Sequence, residues 1–392
     1  MMPVGDLLRK QHVICCLGPG GVGKTTVAAA LGILAACQGR RVLVMTVDPA
    51  KRLADALGLR RVDHDVIEVP LGQLCPQGAQ RGALSATMLD AGSSFDAVIR
   101  RLASEPVARR IAANRLYRVF SRALARSHAQ AAMERLYDVA QDDLYDLVIL
   151  DTPPMRAALE ILDAPRRLLD FFDSGVVRWF VQPPRGRLSH LLPRGSSAVA
   201  RLLSLLGSRR LVAEASHFFG VLAPLEPGLR QRAEGVEGLL RQPDTSFLLV
   251  CAPRATSLAD AASLRDGLRE RGVGLHAVVF NRAYVPEVGR PALPVSAVRT
   301  HTVELAEKER RYEPLLGVLA DLRAQVAARN VLARKAAAAF CSDLSPTCSV
   351  SMIPELAQGI RDLSGLLELA RLIEPPEQRV CAEAGGAGYT AR

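Results

Sequence analysis

The chain has 392 residues, 49% of them hydrophobic and 23% charged, enough to bury a large core as one or two domains. No run of about 20 uncharged apolar residues occurs, so no membrane-spanning helix is expected, and residues 1–12 lack the apolar segment and small-residue cleavage site of a signal peptide. The net charge of +10 comes almost wholly from arginine, since only Lys10, Lys24, Lys51, Lys308 and Lys335 are lysine; by itself this charge fits nucleic acid, acidic lipid or acidic protein alike.

The first apolar stretch, Val13-Ile14-Cys15-Cys16-Leu17, predicts a buried strand. Gly18-Pro19-Gly20-Gly21-Val22-Gly23-Lys24-Thr25-Thr26 follows and fits the phosphate-binding pattern G-x-x-x-x-G-K-[ST]. An alanine-rich helix is predicted next, over residues 26–37. Strand, glycine loop and helix together aim backbone N–H groups and a helix N-terminus at phosphate oxygens. In that role Lys24 supplies a compact charge for the outer phosphates and Thr25 a hydroxyl for Mg²⁺. In a chain that otherwise favours arginine, lysine at this position is informative, because a planar guanidinium does not replace a point ammonium.

Residues 41–47 read as a second buried strand, ending at Asp48-Pro49. Asp48 stands 24 positions after Lys24, at the strand end where α/β sheets bind ligands. Two readings stay open: an acid facing the γ-phosphate side near Mg²⁺ or the attacking water, or a cap for the helix that follows. A short strand is predicted at 66–69, and helical spacing dominates 82–141. Leu147-Val148-Ile149-Leu150 then ends in Asp151, followed by Thr152 and a stiff Pro153-Pro154 turn. After a phosphate loop, an apolar run ending in Asp is the pattern of a second magnesium carboxylate.

Residues 164–242 again read as helical. Leu168, Phe172, Val176 and Phe180 share one face, as do Leu211, Ala215, Phe218 and Leu222. Packed core and an exposed client groove both fit such stripes. Residues 95–140 carry nine arginines against four acids and residues 165–242 twelve against six, so the positive field belongs to the helical part. That field suits a solvated helix face, or a surface for acidic partners or lipid headgroups. The sheet resumes with strands predicted at 246–251 and 275–282, separated by a helix at 258–271. Asn281 ends the second of these, and its amide suits an adenine edge or a turn start. Helix is predicted at 302–340 and 360–372, a strand at 349–354 ending in Pro354, and a disordered tail at 374–392. The eight cysteines contain no C-x-x-C pair, so buried free thiols in a reducing cytoplasm are expected and no zinc site.

The pattern predicts an α/β fold: a doubly wound, mostly parallel sheet with a phosphate loop and an inserted α-helical subdomain. One domain is expected over 1–373, with core segments 11–80, 142–163 and 243–373 and helical insertions 81–141 and 164–242.

GGVGKTT at 20–26, TVDPAKRLADALG at 46–58, LVILDTPP at 147–154, VVFNR at 278–282 and Ile353-Pro354 resemble the arsenical pump-driving (ArsA) and tail-anchored-protein-targeting ATPases. These form a branch of the deviant phosphate-loop ATPases. The resemblance spans nearly the whole chain, to about residue 372. It implies ATP and Mg²⁺, with Gly20, Gly21, Val22, Gly23, Lys24, Thr25 and Thr26 around the phosphates. Thr25 would bind Mg²⁺ directly and Asp151 through water. Asp48 would lie in the first switch beside the metal and orient the hydrolytic water, and Asn281 and Pro354 would flank adenine. The resemblance further implies a homo- or heterodimer, a client or membrane-protein partner held by the helical part, and no specific nucleic acid. A cytoplasmic location is expected, with the membrane periphery as the alternative. The family's signature lysine falls at Pro19, and Arg52 or Lys51 are the candidate replacements. Three other readings stay open: a partition- or division-site (ParA/MinD-like) positioning ATPase, a small-molecule phosphotransferase, and a weakly hydrolysing nucleotide-dependent regulator.

Overall fold

The computed structural model of the chain describes residues 4–47, 52–59, 65–72, 74–75, 82–89, 98–114, 117, 128–173, 209–283, 313–356, 360 and 362–373. Eight strands form one sheet: β1 Val13–Leu17, β2 Arg41–Thr46, β3 Ile67–Glu68, β4 Ala83–Met88, β5 Leu147–Asp151, β6 Thr245–Cys251, β7 Ala277–Ala283 and β8 Ser349–Pro354. Their spatial order is β3-β4-β2-β5-β1-β6-β7-β8. Every pairing is parallel except β3 with β4. All five residues of β1 and of β5 are buried, as continuous apolar runs must be when helices cover both faces of a parallel sheet.

On one face lies helix α2, Lys24–Cys37, flanked by α1 Val4–Lys10 and α3 Arg52–Leu57. The alanine-rich sequence of α2 lets it press close: a side chain at Gly32 would come within 2.7 Å of Val44 on β2. Gly39, at φ 95, then ends the helix in the left-handed conformation that glycine adopts without strain. The other face is covered by α5 His128–Gln141, the first half of α6 Arg156–Asp173, and α9 Ala255–Glu270. The C-terminal end of α10 Glu313–Cys341 also packs there, while α11 Leu363–Ile373 returns to the α2 face.

A third apolar cluster stands apart from the sheet. It joins α4 Glu105–Ala113 and the second half of α6 with α7 Arg209–Leu222 and α8 Glu226–Leu240. Leu168, Phe172, Phe218 and Leu222 of the predicted stripes are buried here, so this part of the stripes is packed core; Val176 and Phe180 lie outside the described residues. Phe171, Phe172, Phe218 and Phe219 stack edge-on or tilted at centroid distances of 5.0–6.2 Å. Several described arginines in and beside this module are paired with acids. Arg232 bonds Glu134 at 2.7 Å and Asp138 at 2.6 Å, Arg101 also meets Asp138, and Arg230 meets Asp173 and Glu226.

Two expectations are corrected. Residues 83–88 are not helical but form β4, paired along β2. The cysteines are not all thiols: Cys37 and Cys75 form a disulfide, whereas Cys15, Cys16, Cys251, Cys341 and Cys348 are buried outside any disulfide. The predicted tail at 374–392 lies outside the described residues, and among those described no helix is long and apolar enough to cross a membrane.

Candidate nucleotide site

The strand order reverses at β1, which lies between β5 and β6. Ligands of open α/β sheets bind outside the C-terminal strand ends at such a switch point, and here the loop after β1 is Gly18–Gly23 of the phosphate-binding pattern. Two glycines of the loop are required by close contacts. At Gly18 a side-chain carbon would sit 2.0 Å from the Val250 carbonyl oxygen, and at Gly23 it would sit 2.5 Å from Asn281 Nδ2. Gly23 caps α2 without a side-chain hydrogen bond, so no capping side chain competes for the first-turn N–H groups at the helix end that favours anions.

Lys24 is buried, and its Nζ donates to the Pro19 carbonyl at 2.9 Å. Pro19 thus has a place in the loop even without a charge, because its carbonyl holds the lysine. Thr25 Oγ1 donates to Asp151 Oδ2 at 2.7 Å, and Thr46 Oγ1 donates to the same oxygen at 3.0 Å. Asp151 is 1% exposed and stands behind Thr25. Parallel pairing of β2 and β5 sets Thr46 level with Asp151. Thr152 anchors the following turn, donating through Oγ1 to the Cys16 carbonyl at 2.8 Å. Burial pushes the Cys16 thiol well above its ordinary pKa, with Asp151 and Cys15 adding to the rise and Lys24 opposing it. That thiol therefore stays neutral beneath the loop and is no nucleophile.

The Pro153-Pro154 turn leads into Met155, held at φ 50, a conformation that costs a side chain of this type about 1 kcal/mol or more. Asn281 donates Nδ2 to the Val22 carbonyl at 2.8 Å and accepts from the Arg282 N–H at 2.9 Å through Oδ1. The amide is thereby oriented, and each of its ends keeps one further hydrogen-bonding position.

A cleft of about 740 Å³ opens over these groups. Gly21, Gly23, Lys24, Thr25, Thr26, Asn281 and Pro354, all predicted from sequence, line it together. Gly20 and Val22 belong to the same loop, with Val22 turned inward. Arg52 and Asp55 of α3 reach the cleft at the side of the loop helix. Asp48 and Lys51 lie outside the described residues. Thr152, in the turn that sequence reading placed after Asp151, lines the cleft as well. Sequence reading did not single out Thr46 or Arg282; Thr46 could have been found from its position at the end of a strand that must pair with β5, whereas Arg282 carries no such signal.

The donor set at Thr25 and Asp151 is hard oxygen, one hydroxyl and one carboxylate at the phosphate loop, which fits Mg²⁺. Mg²⁺ takes few protein ligands, with water and phosphate completing its shell, so one carboxylate suffices.

Residues 11–297 match the family described as anion-transporting ATPase. An uncharacterized protein of Streptomyces coelicolor is 30% identical over 286 residues, covering 71% of this chain and 63% of that protein. ATPase GET3B of Arabidopsis thaliana is 23% identical, over 72% of this chain and 66% of its own length. ATPase GET3 of Malassezia globosa is 25% identical, over 70% of this chain and 74% of its own. The matched region thus spans a little under two thirds of the first two of these relatives. With a family match over most of its length and the phosphate loop in place, the chain belongs to the anion-transporting ATPase family.

Proposed function

We propose that the chain is a Mg²⁺-dependent ATPase whose nucleotide state is coupled to the helical module. The observation that carries the reading is the bond from Thr25 to Asp151 at 2.7 Å, directly below the N-terminus of α2 and beside the buried Lys24. Backbone N–H groups of residues 20–26 and the Lys24 ammonium would hold the triphosphate. Thr25 would bind Mg²⁺ and Asp151 would orient its water. When bound, the metal neutralises charge between the β- and γ-phosphates. Asp48 is the proposed residue that orients the hydrolytic water, with positioning and charge stabilisation in place of a covalent intermediate. Asn281 and Pro354 are the proposed neighbours of the adenine. Arg52, which lines the cleft at the loop-helix side, is the proposed cation in place of the lysine absent at Pro19.

Coupling is supported by the path of two helices. α6 starts just after the Pro153-Pro154 turn, contributes Ala158, Ile161 and Ala164 to the sheet core, and ends with Leu168 and Phe172 in the helical module. α8 runs the other way, with Leu229 and Ala233 in the module and Val236 and Leu239 in the sheet core. The module is the proposed surface for a client or membrane-protein partner, and a dimer is the proposed working form.

Calorimetric titration of the purified chain with ATP, with and without Mg²⁺, tests the reading. Wild type should bind Mg·ATP and turn it over, Lys24→Ala should bind weakly, and Asp48→Asn should bind without turnover. No measurable affinity of the wild type for Mg·ATP would refute it.

A further inference from the structure

One cation in the cleft is held by a backbone that its side chain does not favour. Arg282 lies at φ 56, in the left-handed region where residues other than glycine are uncommon. It is the one exposed residue of β7, whose other positions are all buried. The β7–β8 pairing shifts register between Phe280 and Ala283, so a bulge turns Arg282 out of the ladder. Bulges re-aim single side chains, and they occur beside active sites.

The bulge is fastened on both sides. The Arg282 N–H is held by Asn281 Oδ1 at 2.9 Å, and one residue later the Ala283 carbonyl accepts from the Glu355 N–H at 2.8 Å. Asn281 in turn grips the phosphate loop at Val22. One side chain therefore fixes both the loop and the strained residue. Among the described residues the Arg282 guanidinium makes no hydrogen bond or ion pair. Arg282 lines the cleft together with Glu355 and the apolar residues Leu356, Ile360 and Leu369. A planar cation opposite an apolar wall is suited to a flat aromatic ring, since guanidinium stacks on ring faces in a way an ammonium does not.

Resting on the nucleotide reading above, we propose that Arg282 grips the base. Its guanidinium plane covers one face of the purine against the wall of Leu356, Ile360 and Leu369, and sets a preference for purine over pyrimidine nucleotides. Asn281 is then a positioning residue for Arg282 as well as for the loop.

The test is calorimetric titration of the whole chain in Mg²⁺ with ATP, CTP and inorganic tripolyphosphate. Arg282→Ala should weaken ATP about tenfold, within the range of a cation over a ring face. It should weaken CTP less, so the purine preference collapses, and leave tripolyphosphate unchanged. Arg282→Gly should lose the same ATP affinity yet melt at a higher temperature than wild type, because glycine adopts φ 56 freely; this separates loss of the side chain from misfolding. Arg282→Lys keeps the charge without the plane and should recover little. An unchanged ATP-to-CTP ratio in the Ala and Gly variants would overturn the proposal. So would full recovery in the Lys variant, or a parallel loss of tripolyphosphate, which would make Arg282 a phosphate ligand. In each of these cases wild-type binding of tripolyphosphate, lost in Lys24→Ala, would leave the nucleotide reading standing. Wild type binding no triphosphate at all would bring down both.

Discussion

Two hydroxyls donate to one buried carboxylate oxygen, and separating them is the sharpest trial of the site. Thr25 and Thr46 reach Asp151 Oδ2 at 2.7 and 3.0 Å. Valine is nearly isosteric with threonine and removes only the hydroxyl's hydrogen bond. A hydrogen bond to an ionised acceptor contributes about 1.5–3 kcal/mol, so Thr25→Val and Thr46→Val should each destabilise the nucleotide-free protein by about 2 kcal/mol. That is roughly thirtyfold in the folding equilibrium. The two should part company once nucleotide is added. Thr25 lines the cleft, whereas Thr46 is buried beneath it. Thr46→Val should keep Mg·ATP affinity within about threefold, since it removes no group that touches ligand. Thr25→Val should lose the Mg²⁺-dependence of ATP binding altogether. Urea denaturation followed by circular dichroism gives the stabilities, and calorimetry with Mg²⁺ or with a chelator gives the affinities. The reasoning fails if Thr25→Val binds ATP with an undiminished response to Mg²⁺, or if both variants lose Mg·ATP equally.

Three further outcomes follow from the structure. Reducing the Cys37–Cys75 disulfide reopens a loop of 38 residues, which the chain-entropy account values at about 3–4 kcal/mol; the melting temperature should fall on adding reductant, and Cys75→Ala should melt like the reduced protein and no longer respond. Gly18→Ala places a methyl 2.0 Å from the Val250 carbonyl oxygen, so it should fail to give a cooperative melt, a loss beyond the 4–5 kcal/mol that marks exceptional substitutions. The Arg271 fork, bonded to Asp163 at 2.7 and 2.9 Å, holds that carboxyl below the usual carboxylate range. A depressed folded-state pKa means the pair stabilises above the unfolded carboxylate pKa of about 4, and that this is lost as pH falls through the folded value; the stability gap between wild type and Arg271→Met should be present at pH 6 and shrink toward pH 3, and a gap independent of pH would contradict it.

What could be read from sequence was local in the chain. The run from Val13 to Cys37 carries its own strand, loop and helix signals, and the structure forms them at those residues. Asp151 was legible because an apolar run that ends in an acid means something definite after such a loop. What escaped is decided by pairing across the fold. Ala83-Leu84-Ser85-Ala86-Thr87-Met88 is composed of small and helix-tolerant residues, yet β2 recruits it as a strand. Gly32 of α2 then makes room for Leu84 of this strand, as it does for Val44 of β2. Thr46 becomes a partner of Asp151 only through the β2–β5 register. Cys37 and Cys75 show no meaningful spacing, and only folding back from the end of α2 brings them together. Arg282 gives no warning of its conformation, since nothing in VVFNR marks a bulge.

The proposed coupling depends on where α6 is stiff and where it is weak. Its first turn follows the strained Met155, whose N–H reaches back to the Gly18 carbonyl at 3.4 Å, so the helix begins against the phosphate loop itself. Pro165 lies inside the helix. A proline there removes the N–H that would bond the carbonyl four residues back, and its ring crowds that carbonyl. Just before this weak point the Arg271 fork ties Asp163 to the end of α9, and just after it Leu168 enters the core of the helical module. A helix pinned at its start and middle and weakened at the next residue pair has one natural place to bend. Motion of the Asp151-to-Pro154 turn would then reach Phe172 as a change of angle, with the sheet core left in place. Arg271→Met frees the pin and leaves the site untouched, so under this account Mg·ATP affinity stays level. The change in hydrogen exchange of residues 168–172 on nucleotide binding should then fall to less than half of its wild-type size. Equal protection changes in the two proteins would show that the bend is elsewhere.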